Sequence, residues 1–408
     1  MKKLNRWVYA IIGVVVLLFA GLVYAWSVMG KTIGASRPDW TAAQLSLTFT
    51  IVMAFFCIGV MLGGMLNKKV KPNVYVIASG ILFLAGFFIA GLTGDSPVML
   101  YIGYGVLGGL GSGFAYSAVM STMSAWFPDK QGLISGILLM GFGISAFIVG
   151  KVFAAVAPPD GTETWKATLR ILGIVICVLF FICSFFFVKP DADFVPPTTA
   201  KKKAGREPAL EVNTAGMFKQ PSFWLYYIWA TLLSGAGLVV VSQASGIASQ
   251  VGTEVSAGTI ATVVGLISVM NGIGRVIFGG MYDKVGYKVT ILLDLILYAA
   301  ATGILLLALS TKSFVLIVIG FIVAGLAYGG VTPTNSALIS DFFGRKNFPM
   351  NFSIINTNLL IASFASTIAG SLYDKNQSYV APLLMYGGLT VVGVLIWLIL
   401  KRPTAEKK

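Results

Sequence analysis

The chain of 408 residues contains no histidine, three cysteines and only 11% charged residues. Without histidine there is no imidazole to act as a general base, a metal ligand or a proton relay. The cysteines, Cys57, Cys177 and Cys183, all fall inside apolar runs, which argues against an extracellular disulfide framework. A soluble domain carries about 25% charged residues, so most of this surface faces something other than water. No Walker-type phosphate loop is present, which argues against a self-contained ATP-driven pump. No cluster of acids, metal ligands or an activated nucleophile marks a catalytic centre, so neither an enzyme nor a metal or cofactor is expected.

What the chain has instead is apolar length. Its residues are 57% hydrophobic and come in blocks, each of about 20 residues, enough to cross roughly 30 Å of hydrocarbon as a helix. The blocks do not alternate as barrel strands would, which leaves helices as the spanning element. Spans are expected at 7–29, 44–66, 74–93, 98–124, 132–157, 168–188, 222–246, 257–281, 290–310, 313–339, 350–372 and 379–400. The opening Met1 to Arg6 before an apolar run has the look of a signal peptide. However, Trp7 to Met29 is too long for its core and lacks a clear cleavage site, so it reads as a retained first span.

The net charge of +14 is carried by the connections rather than by one patch. With the N-terminus inside, the cytoplasmic segments hold 21 Lys and Arg against 7 on the other side, with Arg275 inside a span. That bias places both termini in the cytoplasm together with a linker over 189–219, which contains Lys201, Lys202 and Lys203. The basic run then meets anionic lipid, not nucleic acid. A multi-pass protein of the cell inner membrane, acting as a monomer, is expected.

The chain also repeats. Gly63-Gly64-Met65-Leu66-Asn67-Lys68 matches Gly279-Gly280-Met281-Tyr282-Asp283-Lys284, and Gly109-Leu110-Gly111-Ser112-Gly113 matches Gly325-Leu326-Ala327-Tyr328-Gly329. Trp126-Phe127-Pro128-Asp129-Lys130 matches Phe342-Phe343-Gly344-Arg345-Lys346, and all three pairs share one offset of 216 residues. The expected fold is all-α: twelve transmembrane helices in two pseudo-symmetric six-helix bundles, 1–188 and 220–408, joined by the 189–219 linker.

After the eighth span stands Gly280-x-x-Asp283-Lys284-x-Gly286-x-Lys288. It resembles the loop signature of the major facilitator superfamily, and the copy after the second span is weaker, with Asn67 in place of the acid. The resemblance covers the whole chain and implies a gating and packing role for Gly280, Asp283 and Lys284.

Under the same offset Arg275 stands where the first half has Gly59, so one half alone carries an arginine at depth. It precedes Asp283 by eight residues, which is about 12 Å of helix. Burying an arginine there costs about 2.5–3.5 kcal/mol on insertion scales, so it should face a wet cavity or an anion, and its guanidinium fork matches a carboxylate. The alternative is a structural pair with Asp294, although its place six residues past Lys288 also fits the cytoplasmic interface.

Gly21-Leu22-Val23-Tyr24-Ala25-Trp26-Ser27 in the first span, with Asn271-Gly272-Ile273-Gly274-Arg275 in the eighth, resembles the oxalate/formate exchanger and monocarboxylate transporter branch. In that branch the arginine of the eighth span binds the anion, and Arg275 matches it. Oxalate exchangers add a lysine in the eleventh span, whereas no Lys or Arg occurs here between Lys346 and Lys375, and Asn356 and Asn358 hold the middle. One fixed positive charge suits one carboxylate. Mammalian monocarboxylate transporters place an acid one turn before the arginine and a lysine in the first span; here Asn271 and Val28 stand instead. Asn271 can orient Arg275 or bond substrate but cannot titrate, which leaves Asp294 or the substrate itself to carry a proton.

Tyr24, Tyr116, Tyr328 and Tyr386 could offer hydroxyls and apolar faces to a small organic anion, with Asn358 beside them, while Gly136, Gly141 and Gly143 read as packing positions. The expected activity is secondary transport of a small monocarboxylate of the lactate or pyruvate class, with a proton, by alternating access near the membrane midplane. An obligate exchanger of the oxalate/formate type is the alternative.

Overall fold

The computed structural model describes residues 5–40, 42–67, 69–158, 160–191, 194 and 209–403. Most of the expected linker, including Lys201 to Lys203, lies outside the described residues. Each apolar block folds as a helix, the only way a single segment satisfies its own backbone in hydrocarbon. The first, α1 (Arg6–Ala25), opens on Asn5, whose side chain accepts the Trp7 amide hydrogen. It tightens into a 3-10 turn over Gly21–Ala25 and then continues as a helix over Trp26–Ser36. There follow α2 (Ala42–Leu66), α3 (Pro72–Ala90), α4 (Val98–Trp126), α5 (Gln131–Val156) and α6 (Thr164–Ser184). The opening of α4 has wider π-type turns over Tyr101–Gly108, where Gly103 lies backbone against the backbone of Gly86 on α3.

In the second half α7 (Pro221–Val251) starts on a proline whose missing amide costs a helix nothing at that position. A continuous helical stretch then runs over Ala257–Thr311. It is too long for one crossing, and at Gly286 the backbone turns to φ 80° and ψ −179°, which only glycine adopts easily. The stretch is therefore two helices, α8 (257–285) and α9 (287–311). After them come α10 (Phe314–Phe343), α11 (Phe348–Asn376) and α12 (Val380–Ile399). Eleven segments are long and apolar enough to cross a membrane, and one of them, Thr262–Thr311, holds two spans. Among the described residues the total is twelve.

The chain forms two compact units, one of Met1–Asp129 with Gly141–Ala200, the other of Lys130–Met140 with Lys201–Lys408. The repeat is visible inside each. In the first unit a methyl group on Gly59 of α2 would meet Leu110 and Gly113 of α4. In the second, Leu326 and Gly329 of α10 stand 216 residues after Leu110 and Gly113; Leu326 meets Gly274 of α8, the residue before the Gly59 counterpart Arg275, and Gly329 faces the backbone of Asn271, Gly274 and Arg275. Small residues let these helix pairs approach backbone to backbone, the usual packing device where no hydrophobic driving force separates helix from lipid.

Candidate functional site

Within the second unit Arg275 lies on α8, 5% exposed, between α10 and the opening residues of α5. Its Nε donates to Asn271 Oδ1 at 2.8 Å, one turn back on the same helix face. Its Nη1 donates to the backbone carbonyl of Leu139 on α5 at 2.5 Å. Both acceptors are neutral. Among the described residues Arg275 makes no ion pair, and the structural pair with Asp294 is not formed. The guanidinium keeps Nη2 with no described acceptor. A buried cation so placed is neutralised by no described residue, and its remaining donors suit an anionic oxygen.

The approach of α5 and α10 to this point depends on glycine. A methyl on Gly136 would strike the Arg275 carbonyl, and one on Gly329 would meet the Asn271 carbonyl and the Arg275 amide. Tyr328, next to Gly329, is buried with its ring packed on Gly237 of α7. The expectation that Gly136 serves packing thus has a physical content: it admits the helix whose carbonyl at Leu139 holds the arginine.

Two turns along α8 from Arg275, Asp283 accepts hydrogen bonds from the amides of Gly132 at 2.9 Å and Leu133 at 2.8 Å. These are first-turn amides of α5, so the carboxylate sits on the positive end of that helix dipole. Gly132 and Gly279 meet backbone to backbone beside it, while Gly280 only touches Leu133, and the Lys284 side chain is exposed. Gln131 Nε2 and the Ser135 hydroxyl both donate to Ser336 of α10, at 3.0 and 2.6 Å.

Asp294 is buried rather than at the protein surface. It lies on α9, 1% exposed, with its carboxyl group against Gly330 of α10. Neither oxygen has a hydrogen-bond partner among the described residues. Tyr226, Tyr298 and Tyr386 lie within electrostatic reach of it. Tyr386 therefore belongs to this group, its ring 5.4 Å from that of Tyr298. No described hydrogen bond joins it to Arg275. Asn358 is fully buried at a helix interruption following Thr357, and neither end of its amide is satisfied.

In the first unit Tyr24 and Tyr116 are brought to a common partner. Phe142 of α5 meets Tyr24 edge-on at 5.5 Å and Tyr116 at 5.4 Å, and Phe56 of α2 packs on both Tyr116 and Phe142 at 5.3 and 5.7 Å. Sequence reasoning does not single out Phe56 and Phe142, nor Leu139, Tyr226, Tyr298 and Asn335. Phenylalanine is too common in this chain to stand out, and a backbone carbonyl carries no sequence signal.

The family model described as Major Facilitator Superfamily matches residues 8–311 and 244–408. Over 349 residues the chain is 25% identical to the oxalate:formate antiporter of Oxalobacter formigenes, covering 84% of this chain and 80% of that one. It is 22% identical over 357 residues to monocarboxylate transporter 13 of Bos taurus, covering 86% and 79%. Among solved structures, a proton:xylose symporter superposes with a TM-score of 0.71 at 17% identity, over 97% of each chain. That last likeness is one of fold.

Proposed function

The chain belongs to the Major Facilitator Superfamily, and from that premise we propose that it is a secondary active transporter of small monocarboxylates, of the lactate or pyruvate class, working with a proton by alternating access. Its six-helix halves, 1–188 and 220–408, carry the movement, and the 189–219 linker and both termini lie in the cytoplasm of an inner-membrane protein. The observation that carries this reading is Arg275, a buried guanidinium whose acceptors, Asn271 Oδ1 and the Leu139 carbonyl, are uncharged. A carboxylate that takes Nη2 and replaces the Leu139 carbonyl at Nη1 completes a two-nitrogen fork, and the charge of the arginine is then matched once. No second base stands in α11 before Lys375, so a dianion would keep one charge uncompensated in a low-dielectric site. Tyr328, Tyr116 and Tyr24 are the side chains proposed to meet the organic part of the substrate.

The test is uptake into proteoliposomes. Arg275→Ala should abolish it, and Arg275→Lys should also fail, because an ammonium is a point charge without a planar fork. Full uptake by the lysine variant would overturn the reading. Obligate exchange is the second reading, supported by the similarity to an oxalate:formate antiporter. Empty vesicles separate the two: symport responds to an imposed pH gradient, whereas exchange requires substrate inside.

A further inference from the structure

The surroundings of Asp294 come from four helices of the second unit. Tyr226 on α7, Tyr298 on α9 itself and Tyr386 on α12 lie within its electrostatic reach, the Tyr298 hydroxyl donating to the Leu233 carbonyl at 2.8 Å. From α10 comes the bare backbone of Gly330, whose missing side chain leaves the space the carboxyl group fills; a methyl there would meet all three carboxyl atoms. Farther along α10, Asn335 accepts the Tyr226 hydroxyl at 2.8 Å, and its Nδ2 has no partner. The Tyr386 hydroxyl is likewise unpartnered. Among the described residues every titratable group within electrostatic reach of Asp294 is thus a phenol, and none is a base.

A carboxylate in that setting has lost water and gained neither a counter-charge nor a donor. An ionised group so buried costs far more than a neutral one, whose penalty is about 1–3 kcal/mol in proteins. Binding a proton removes the larger cost. A sodium ion would need a ring of oxygens, whereas the hydroxyls of Tyr226 and Tyr298 are engaged with Asn335 and the Leu233 carbonyl. The chemistry fits a proton better than a metal cation. Arg275 does not supply the charge, because it stands on α8 with its own acceptors.

We propose that Asp294, with Tyr226, Tyr298, Tyr386 and Asn335, is a proton-binding site inside the second unit, separate from the anion site at Arg275, and that its proton is the one moved with substrate. The first half of this stands on the cluster alone, and the second rests on the transport reading above. The only bond made or broken is O–H: a proton from water converts the carboxylate to the acid, and its release to water reverses that.

Infrared difference spectroscopy of the full chain in lipid nanodiscs tests the site. At neutral pH the wild type should show the carbonyl stretch of a protonated carboxylic acid, shifted in heavy water and lost in Asp294→Asn. Asparagine is nearly isosteric with the neutral acid, so the variant should fold. Absence of the band from the folded wild type, or its loss on adding sodium chloride, would overturn the proton site. The band should persist in Arg275→Ala, which loses substrate binding; if that variant still transports, the anion reading fails while the proton site stands. Uptake by Asp294→Asn should lose its response to an imposed pH gradient, and uptake still driven by the gradient would overturn proton carriage by Asp294.

Discussion

Asn271 Oδ1 accepts the Nε hydrogen of Arg275 at 2.8 Å, from one turn earlier on α8. The bond fixes the plane of the guanidinium without adding a charge, and in the proposed anion site that plane would be set before substrate arrives. A hydrogen bond to a charged group is worth about 1.5–3 kcal/mol, so Asn271→Leu should weaken monocarboxylate binding by about 10- to 100-fold. Asn271→Asp should weaken it further, because the new carboxylate would claim the arginine itself. Calorimetric titration of the purified variants measures both, and unchanged affinity in Asn271→Leu would show that the bond positions nothing.

Close approach of backbones around Arg275 leads to a second expectation. A methyl group on Gly136 would run into the Arg275 carbonyl, whereas one on Gly303 of α9 has nothing within 4 Å. Overpacking of this kind costs about 1–3 kcal/mol, while a helix interior gains up to about 1 kcal/mol when alanine replaces glycine. Gly136→Ala should therefore lower the unfolding temperature in detergent, and Gly303→Ala should leave it unchanged or raise it slightly. Equal stability of the two variants would show that the contact is not tight.

The helices and the repeat were legible because hydrocarbon imposes them: apolar length, basic connections and glycines in register all have to be written in the sequence. Arg275 could be read as special for the same reason, since a lone base in an apolar run has a cost that something must meet. Its acceptors could not be read in full. Asn271 follows from helical spacing, but the Leu139 carbonyl arrives from another helix and belongs to the backbone. Asp294 was legible as an intramembrane acid, yet its surroundings were not, because Tyr226, Gly330 and Tyr386 come together from three other helices across more than 150 residues. Likewise Phe142, which Tyr24 and Tyr116 share, is defined only by contacts distant in sequence.

Asp283 should matter to the stability of the α5–α8 contact through charge as well as shape. Its carboxylate takes two first-turn amides of α5, and an acid at a helix N-terminus typically contributes about 0.5–2 kcal/mol. Asp283→Asn keeps one acceptor and loses the charge, so a fall in unfolding temperature is expected, smaller than for Asp283→Ala. Melting curves of the three proteins in the same detergent decide it. Equal midpoints for wild type and Asp283→Ala would mean that water serves those amides as well.

The loop before α6 carries a pH dependence whose sign can be worked out. Glu163 accepts a hydrogen bond from Lys166 at 2.8 Å and also pairs with Arg37. The Lys166 hydrogen bond is the larger cause holding its carboxyl below the ordinary value of 4.5, with both cations attracting it as well. A lowered value in the folded protein means that the contribution is fully present above the ordinary value and is lost as pH falls through the folded one. The side chain is about half exposed, and exposed pairs contribute about 0–1 kcal/mol, so the effect is small and screened by salt. Wild type should therefore be slightly more stable than Glu163→Gln near neutral pH and low ionic strength. The gap should close as the buffer is taken below the ordinary glutamate range, or as salt is added. A difference that widens on acidification would mean that the acid form, not the ion pair, supports this loop.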